Sequence, residues 1–140
     1  MEKVDLLLVE LLRRDGRMSF TDLGRAVGLS TSAVHQRVRR LEERGVITGY
    51  AARVSYEQLG SPLTAFIEVR PFDPAAPDDV PERLREVAEI EACYSVAGDA
   101  NYLLKVRVAT PGQLEELLGR IRTAASVSTH TTIVLSTPWE

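Results

Sequence analysis

The chain has 140 residues, 44% of them hydrophobic and 26% charged, which suits one ordinary globular domain or two small ones with packed cores. Its formal net charge of −3 hides an asymmetry, because residues 1–53 carry ten Lys/Arg against seven Asp/Glu (+3) and residues 54–140 carry seven against thirteen (−6). A basic reader joined to an acidic second domain fits that split better than a uniformly acidic enzyme.

The opening stretch, MEKVDLLLVELLRRDG, has acids interrupting its apolar run and no small-residue cleavage site, so it reads as an amphipathic helix over roughly residues 3–14 and not as a signal peptide. Val4, Leu7, Leu8, Leu11 and Leu12 share one side of it, and Gly16 ends it. No run approaches membrane-spanning length. Cys93 is the single cysteine, which excludes an intrachain disulfide and a Cys-based metal cluster and makes a cytoplasmic location the simplest expectation.

Residues 18–45 predict two helices joined by a glycine-containing turn. Ser19 is placed to cap the first, whose apolar positions are Leu23, Ala26 and Val27, and Gly28 supplies the permissive backbone that leaves it. The second opens among Ser30, Thr31 and Ser32, buries Val34, Val38 and Leu41 on one stripe and stops at Gly45. Gln36, Arg37, Arg39 and Arg40 lie outside that stripe, and residues 30–41 contain no carboxylate. Such a pair matches the helix-turn-helix, whose second helix enters the major groove of duplex DNA. Arginine forks suit phosphate oxygens or guanine, Gln suits adenine, and small hydroxyls at a helix start reach bases or phosphates. The candidate DNA contacts are therefore Ser19, Thr21, Ser30, Thr31, Ser32, His35, Gln36, Arg37, Arg39 and Arg40. A merely solvated arginine face is the plainer reading of the arginines taken alone, and packing is an equal role for His35.

Residues 48–60 read as a linker strand between a domain at 1–47 and another at 61–140. Val46, Ile47 and Tyr50 favour strand, Gly49 permits a bend, and Arg53 is placed to approach the DNA backbone as part of a wing. From Ser61 the period is two, with Leu63, Ala65, Ile67 and Val69 facing inward. PFDPAAPDDVP is a loop, after which Asp78 or Asp79 caps a helix with Val80, Leu84, Val87 and Ala88 on its inner stripe. Residues 92–97 form a second strand, GDAN (98–101) a tight turn, and Tyr102, Leu104, Val106 and Val108 the inner face of a third. Thr110 and Gln113 fit a capping box before a helix bearing Leu114, Leu117, Leu118 and Ile121, and residues 128–136 close the unit as a fourth strand. The fold class is α+β: a winged helix-turn-helix joined by a strand hinge to a ferredoxin-like βαββαβ domain. Both helices of that domain cover one sheet face, and Phe66, Tyr94, Val96 and Leu103 are candidates for the other, which gives a physical motive for dimerisation.

From about Val4 to Val134 the sequence resembles the Lrp/AsnC family of bacterial and archaeal transcription regulators. The residues that carry the likeness are Asp5 with its leucines and the runs RRDGRMSFTDLGRAVGLS, VRRLEERGVITGY and EACYSVAGDANYLLKVRV. The resemblance implies an N-terminal DNA-binding domain, a strand hinge and a C-terminal amino-acid-sensing domain that dimerises through its sheet, the homodimers assembling further. It also places an amino-acid effector at the turn Gly98-Asp99-Ala100-Asn101-Tyr102, between subunits, with Thr129 and Thr131 supplying hydroxyls if a neighbouring chain brings them close. Ala100 stands where the family usually has a large residue and Asn101 where it has aspartate, so the effector's identity does not carry over. The alternative reading of GDAN is a plain hairpin turn, with Gly and Asn suited to positive φ.

His130 reads as a sheet histidine and Cys93 as a small core residue. No phosphate loop and no nucleophile–base pair is recognisable, so the chain is not read as an enzyme, and no cofactor or metal is called for. The expected partners are double-stranded DNA, a small effector and further copies of the chain, without a membrane. The alternative is an architectural protein that binds DNA with little sequence preference and no effector.

Overall fold

The computed structural model describes residues 1–140 and divides into two compact units, Met1–Val54 and Ser55–Glu140. No helix is long and apolar enough to cross a membrane.

The first unit holds α1 (Lys3–Arg14), α2 (Phe20–Val27) and α3 (Thr31–Glu43). Each boundary has a local cause. The Ser19 hydroxyl accepts the Asp22 N–H at 3.0 Å to open α2, and the Ser30 hydroxyl accepts the Ala33 N–H at 3.2 Å to open α3. Gly28 takes the left-handed conformation (φ 74°) that ends α2 and lets the chain reverse within three residues. Leu8, Leu12, Leu23, Val34 and Val38 form the core, with Ile47 and Phe20 packed against it. The stripe on α1 is narrower than the sequence predicts. Leu7 is exposed, and so is Ala26 on α2.

Residues 46–54 form no strand, so the predicted wing and strand hinge are absent as β-structure. A ladder needs a partner, and this unit holds only helices. The segment is tied down otherwise: the Leu41 carbonyl accepts the N–H groups of Val46 and Ile47, and the Ile47 side chain joins the helical core.

The second unit is an antiparallel sheet in the order β2-β3-β1-β4, built from β1 (Leu63–Pro71), β2 (Ile90–Ser95), β3 (Tyr102–Val108) and β4 (Val127–Ile133), with α4 (Val80–Leu84) and α5 (Pro111–Ala125). Leu63 pairs with Val108 and Val69 with Tyr102, so the inward residues of β1 and β3 stack in register with Leu114, Leu117 and Ile121 of α5. Thr110 caps α5 by accepting the Gln113 N–H at 3.1 Å, and Gln113 Oε1 accepts the Ala109 N–H at 2.9 Å. Helix α4 is shorter than predicted. It ends at Leu84, leaving Ala88 exposed, and neither aspartate before it caps with its side chain: Asp79 pairs with Arg83 at 2.8 Å and Asp78 accepts from Tyr102. Strand β4 stops at Ile133, because β1 begins at Leu63 and offers only the Thr64 carbonyl to Val134 beyond it.

The chain reversal between α2 and α3 leaves no room beside Gly24. A Cβ there would lie 2.5 Å from the Leu29 carbonyl oxygen, which is backbone and cannot swing aside. Gly24→Ala is therefore expected to destabilise the helical unit by about 1–3 kcal/mol. The check is a two-dimensional amide spectrum through a thermal melt: signals of residues 1–54 should be lost early while those of the sheet melt as in the parent. An unshifted melt would show that the turn relaxes without cost.

Candidate nucleic-acid interface and ligand turn

Helix α3 sorts its residues by direction. Val34, Val38 and Leu41 are buried, while Thr31, Ser32, His35, Gln36, Arg39 and Arg40 are exposed. At its start, the Ser30 hydroxyl is occupied as the cap and is hydrogen-bonded to the Ser32 hydroxyl at 3.3 Å, so Thr31 carries the free hydroxyl. Ser19 is likewise occupied by capping, and Thr21 is exposed in the first turn of α2. The His35 ring packs on Phe20 with centroids 5.2 Å apart. Arg39 pairs with Glu43 at 2.9 Å along the exposed helix surface, where such a pair is weak and easily exchanged.

Arg37 behaves differently from the other arginines. Its Nη1 donates to Asp5 Oδ1 at 3.0 Å and lies 2.9 Å from Glu2 Oε2, both on or beside α1. Asp5 is the only buried charged residue in the chain. The hydrogen bond to Asp5, then that to Glu2, raises the guanidinium pKa above its ordinary value. The sequence pattern groups Arg37 with the DNA contacts, but its position one turn from Val34 and Leu41 turns it toward α1, where it clamps two helices. Arg40 makes no ion pair and lines, beside Glu2, Asp5 and Arg37, a cavity of about 410 Å³ that also takes in Arg44 one helical turn on, a residue that no sequence pattern marks. Arg53 is exposed on the extended segment.

In the second unit, residues 96–101 join β2 to β3. The Val96 N–H donates to the Asn101 carbonyl and the Asn101 N–H to the Val69 carbonyl, each at 3.1 Å, which pins the turn to the end of β1. Gly98, Asp99 and Asn101 are exposed, whereas Ala100 and Tyr102 are buried. The Tyr102 hydroxyl donates to Asp78 Oδ1 at 2.6 Å, and that bond, with burial, pushes the phenol pKa up to about 12. Asp78, Ser95, Val96, Gly98, Asn101 and Tyr102 line a shallow concavity of about 250 Å³ over the turn. Asp78 reaches it from a distant loop, so no local signal in the sequence marked it.

Thr129 and Thr131 are not brought to this turn within the chain. They lie on β4 opposite Val69 and Ile67, so β1 separates them from β3, and Thr129 accepts from Arg122 at 3.3 Å. His130 faces Glu68 on the opposite side of the sheet. Cys93, expected in the core, is exposed because β2 is an edge strand with only a short helix beside it. Desolvation, then the charge of Glu82, raises its thiol pKa, which disfavours the reactive thiolate.

Comparison with known proteins covers both units. Residues 1–42 match the family model for the AsnC-type helix-turn-helix domain, and residues 64–140 match the Lrp/AsnC ligand binding domain. The HTH-type transcriptional regulator LrpA of Mycobacterium tuberculosis is 51% identical over 137 residues, 98% of this chain and 91% of that protein. The leucine-responsive regulatory protein of Escherichia coli K12 is 34% identical over 140 residues, 96% of this chain and 85% of the relative. Among solved structures, the feast or famine regulatory protein from M. tuberculosis complexed with L-methionine superposes with a TM-score of 0.97 at 50% identity, covering 99% of this chain and 95% of its own.

Two outcomes follow from the geometry. Asp5→Asn should lower the melting temperature of the helical unit more than Glu2→Gln, since the Asp5 side chain is 13% exposed and that of Glu2 69%. Equal shifts would mean that the clamp is only a surface pair. For Tyr102, the folded state holds its proton to about 12 while the ordinary value is 10.0, so its contribution to stability is intact below pH 10 and is lost as pH rises toward 12. Denaturant titrations of the parent and of Tyr102→Phe across that window should converge at high pH. Parallel curves would place the phenol outside any such linkage.

Proposed function

The chain belongs to the Lrp/AsnC family of transcriptional regulators, and from that premise we propose that it is a sequence-specific DNA-binding regulator, acting as a homo-oligomer, whose DNA affinity is set by a small effector of the amino-acid class. The observation that carries this reading is the division of labour on α3, whose buried stripe fixes the helix while Thr31, Gln36 and Arg40 are exposed with no side-chain partner. Gln36 and Arg40 are one helical turn apart and can meet adjacent base edges, and Thr31 and Ser32 at the helix start suit phosphate or thymine contacts.

The open sheet face supports the oligomer. Alternation puts Phe66, Leu103 and Tyr94 on the side away from α5, and Tyr94 is half exposed in the single chain. A second copy laid on that face buries this apolar area and presents two α3 helices to a two-fold operator. For the effector, the turn at 98–101 offers the exposed carboxylate of Asp99, which accepts an ammonium group, and the concavity bounded by Asp78 and Asn101. A related protein was solved with L-methionine, which supports the same ligand class here. Regulation is then linkage: an effector that binds one arrangement of subunits better than another changes DNA affinity by the same coupling free energy.

Fluorescence anisotropy with duplex from the protein's own upstream region and a scrambled duplex, with and without pooled amino acids, checks the whole reading. The expected result is tighter binding to the upstream duplex and a shift with the pool. Arg40→Ala should cost about 1–3 kcal/mol of binding. Asp99→Ala should abolish the pool's effect and leave effector-free binding intact. Equal binding to both duplexes with no response would instead favour a protein that compacts DNA without an effector.

A further inference from the structure

The chain after α3 builds a surface that the reading helix does not account for. Ile47 is plugged into the helical core, and the Tyr50 ring covers the start of the α1–α2 turn, where a Cβ on Gly16 would lie 3.7 Å from Tyr50 Cδ1. Partial desolvation and the nearby Glu42 carboxylate of α3 raise the Tyr50 phenol pKa, so this ring sits between the turn and the end of α3. Residues 49–53, held in this way, form one wall of an open groove of about 760 Å³ whose other wall is the end of α1.

That groove is cationic. Arg13, Arg14, Arg17 and Arg53 line it against a single lining carboxylate, Asp15. Arg13 and Arg14 share Glu10, at 3.1 and 3.0 Å, and Asp15 turns its Oδ1 to the Arg17 backbone N–H at 3.0 Å. The Arg17 and Arg53 guanidinium groups are left without an ion pair. Two guanidinium groups with no carboxylate partner lining one open groove give it a local positive potential that attracts an anion.

We propose that this groove is a second DNA-gripping surface, in which Arg17 and Arg53 hold phosphates of the sugar–phosphate backbone beside the stretch read by α3. The inference rests on the DNA-binding reading given above. Its placement follows from the helix-turn-helix itself: the helix before the recognition helix crosses the DNA backbone, and Arg17 stands immediately ahead of α2. Segment 49–53 thereby replaces the missing β-wing, with Tyr50 as the post that positions Arg53. Contacts of this kind carry no sequence information but set register and add to affinity.

Salt dependence of anisotropy on the upstream and scrambled duplexes tests this with the full chain. Each phosphate contact contributes about 0.9 to the slope of log K against log salt. Arg17→Ala and Arg53→Ala should each make the slope shallower by about one per DNA-bound subunit and weaken both duplexes alike, with Arg17→Lys and Arg53→Lys restoring the slope. Arg40→Ala, in contrast, should reduce discrimination between the duplexes. A double Arg17→Ala, Arg53→Ala variant that keeps the parent's slope and affinity overturns the groove and leaves the regulator reading standing. A parent that binds neither duplex overturns the regulator reading, and the groove with it.

Discussion

Thirteen residues, Thr31–Glu43, have to be core and working surface at the same time, and the rest of the helical unit is arranged around that double demand. A helix buries about one stripe in every three or four residues, so Val34, Val38 and Leu41 commit α3 to α1 and α2 and leave only the outer side available. Position relative to that stripe then decides what each arginine does. Arg37, on the margin of the stripe, meets a carboxylate that is itself buried, and Asp5 and Arg37 hold each other where neither is stable alone. Arg39, turned outward, pairs with Glu43 along the helix surface, and Arg40 makes no ion pair. The clamp matters to the proposed function because a reading helix is useful only if its orientation on the scaffold is fixed.

The second unit answers a different constraint. A sheet with α4 and α5 on one side buries Ile67, Leu104, Leu117 and Ile121 there and leaves its other side to be finished by something else. That open side is more than a bare apolar patch. Arg107 donates to Glu91 and to Thr64, both at 2.6 Å, and its guanidinium lies 3.5 Å from the Tyr56 ring centroid. The pairing register of β2 with β3 shifts between Ile90 and Ala92, the point at which Glu91 reaches Arg107. The first residues of this unit are thus stacked onto its own sheet, which bounds the surface available to the proposed partner copy. Behind the sheet, the bond from Tyr102 to Asp78 ties the loop before α4 to the strand that follows the turn at residues 98–101, so that turn is anchored from both sides.

Much of this was legible locally. Ser19, Ser30 and Thr110 cap helices where their hydroxyls predict, Gly28 leaves α2 in the left-handed region, and the period-two runs in β1 and β3 bury the expected residues. The misreadings have a common form. Ala88, Leu7 and Ala26 fit an apolar stripe but lie beyond the width of the element that packs on it. Val46, Ile47 and Tyr50 favour strand, yet they find no ladder partner and are used one by one as a core plug and a ring over the turn. Cys93 has the right size for a core and the wrong strand, since β2 is at the sheet edge.

The sequence by itself determined the order of helices and sheet strands, the caps of α2, α3 and α5, the inward faces of β1 and β3 and the family, because these depend on residues a few positions apart or on a pattern that survives without coordinates. Only the tertiary structure decided which charged groups are free. Arg37 is separated from Asp5, and Tyr102 from Asp78, by far more than a helical turn, while Thr129 is kept from the turn at residues 98–101 by an intervening strand. Electrostatic and hydrogen-bond partners are chosen by distance in space. In this chain the packing of α1 on α3 and the strand order β2-β3-β1-β4 fix that distance, and neither is written in local periodicity.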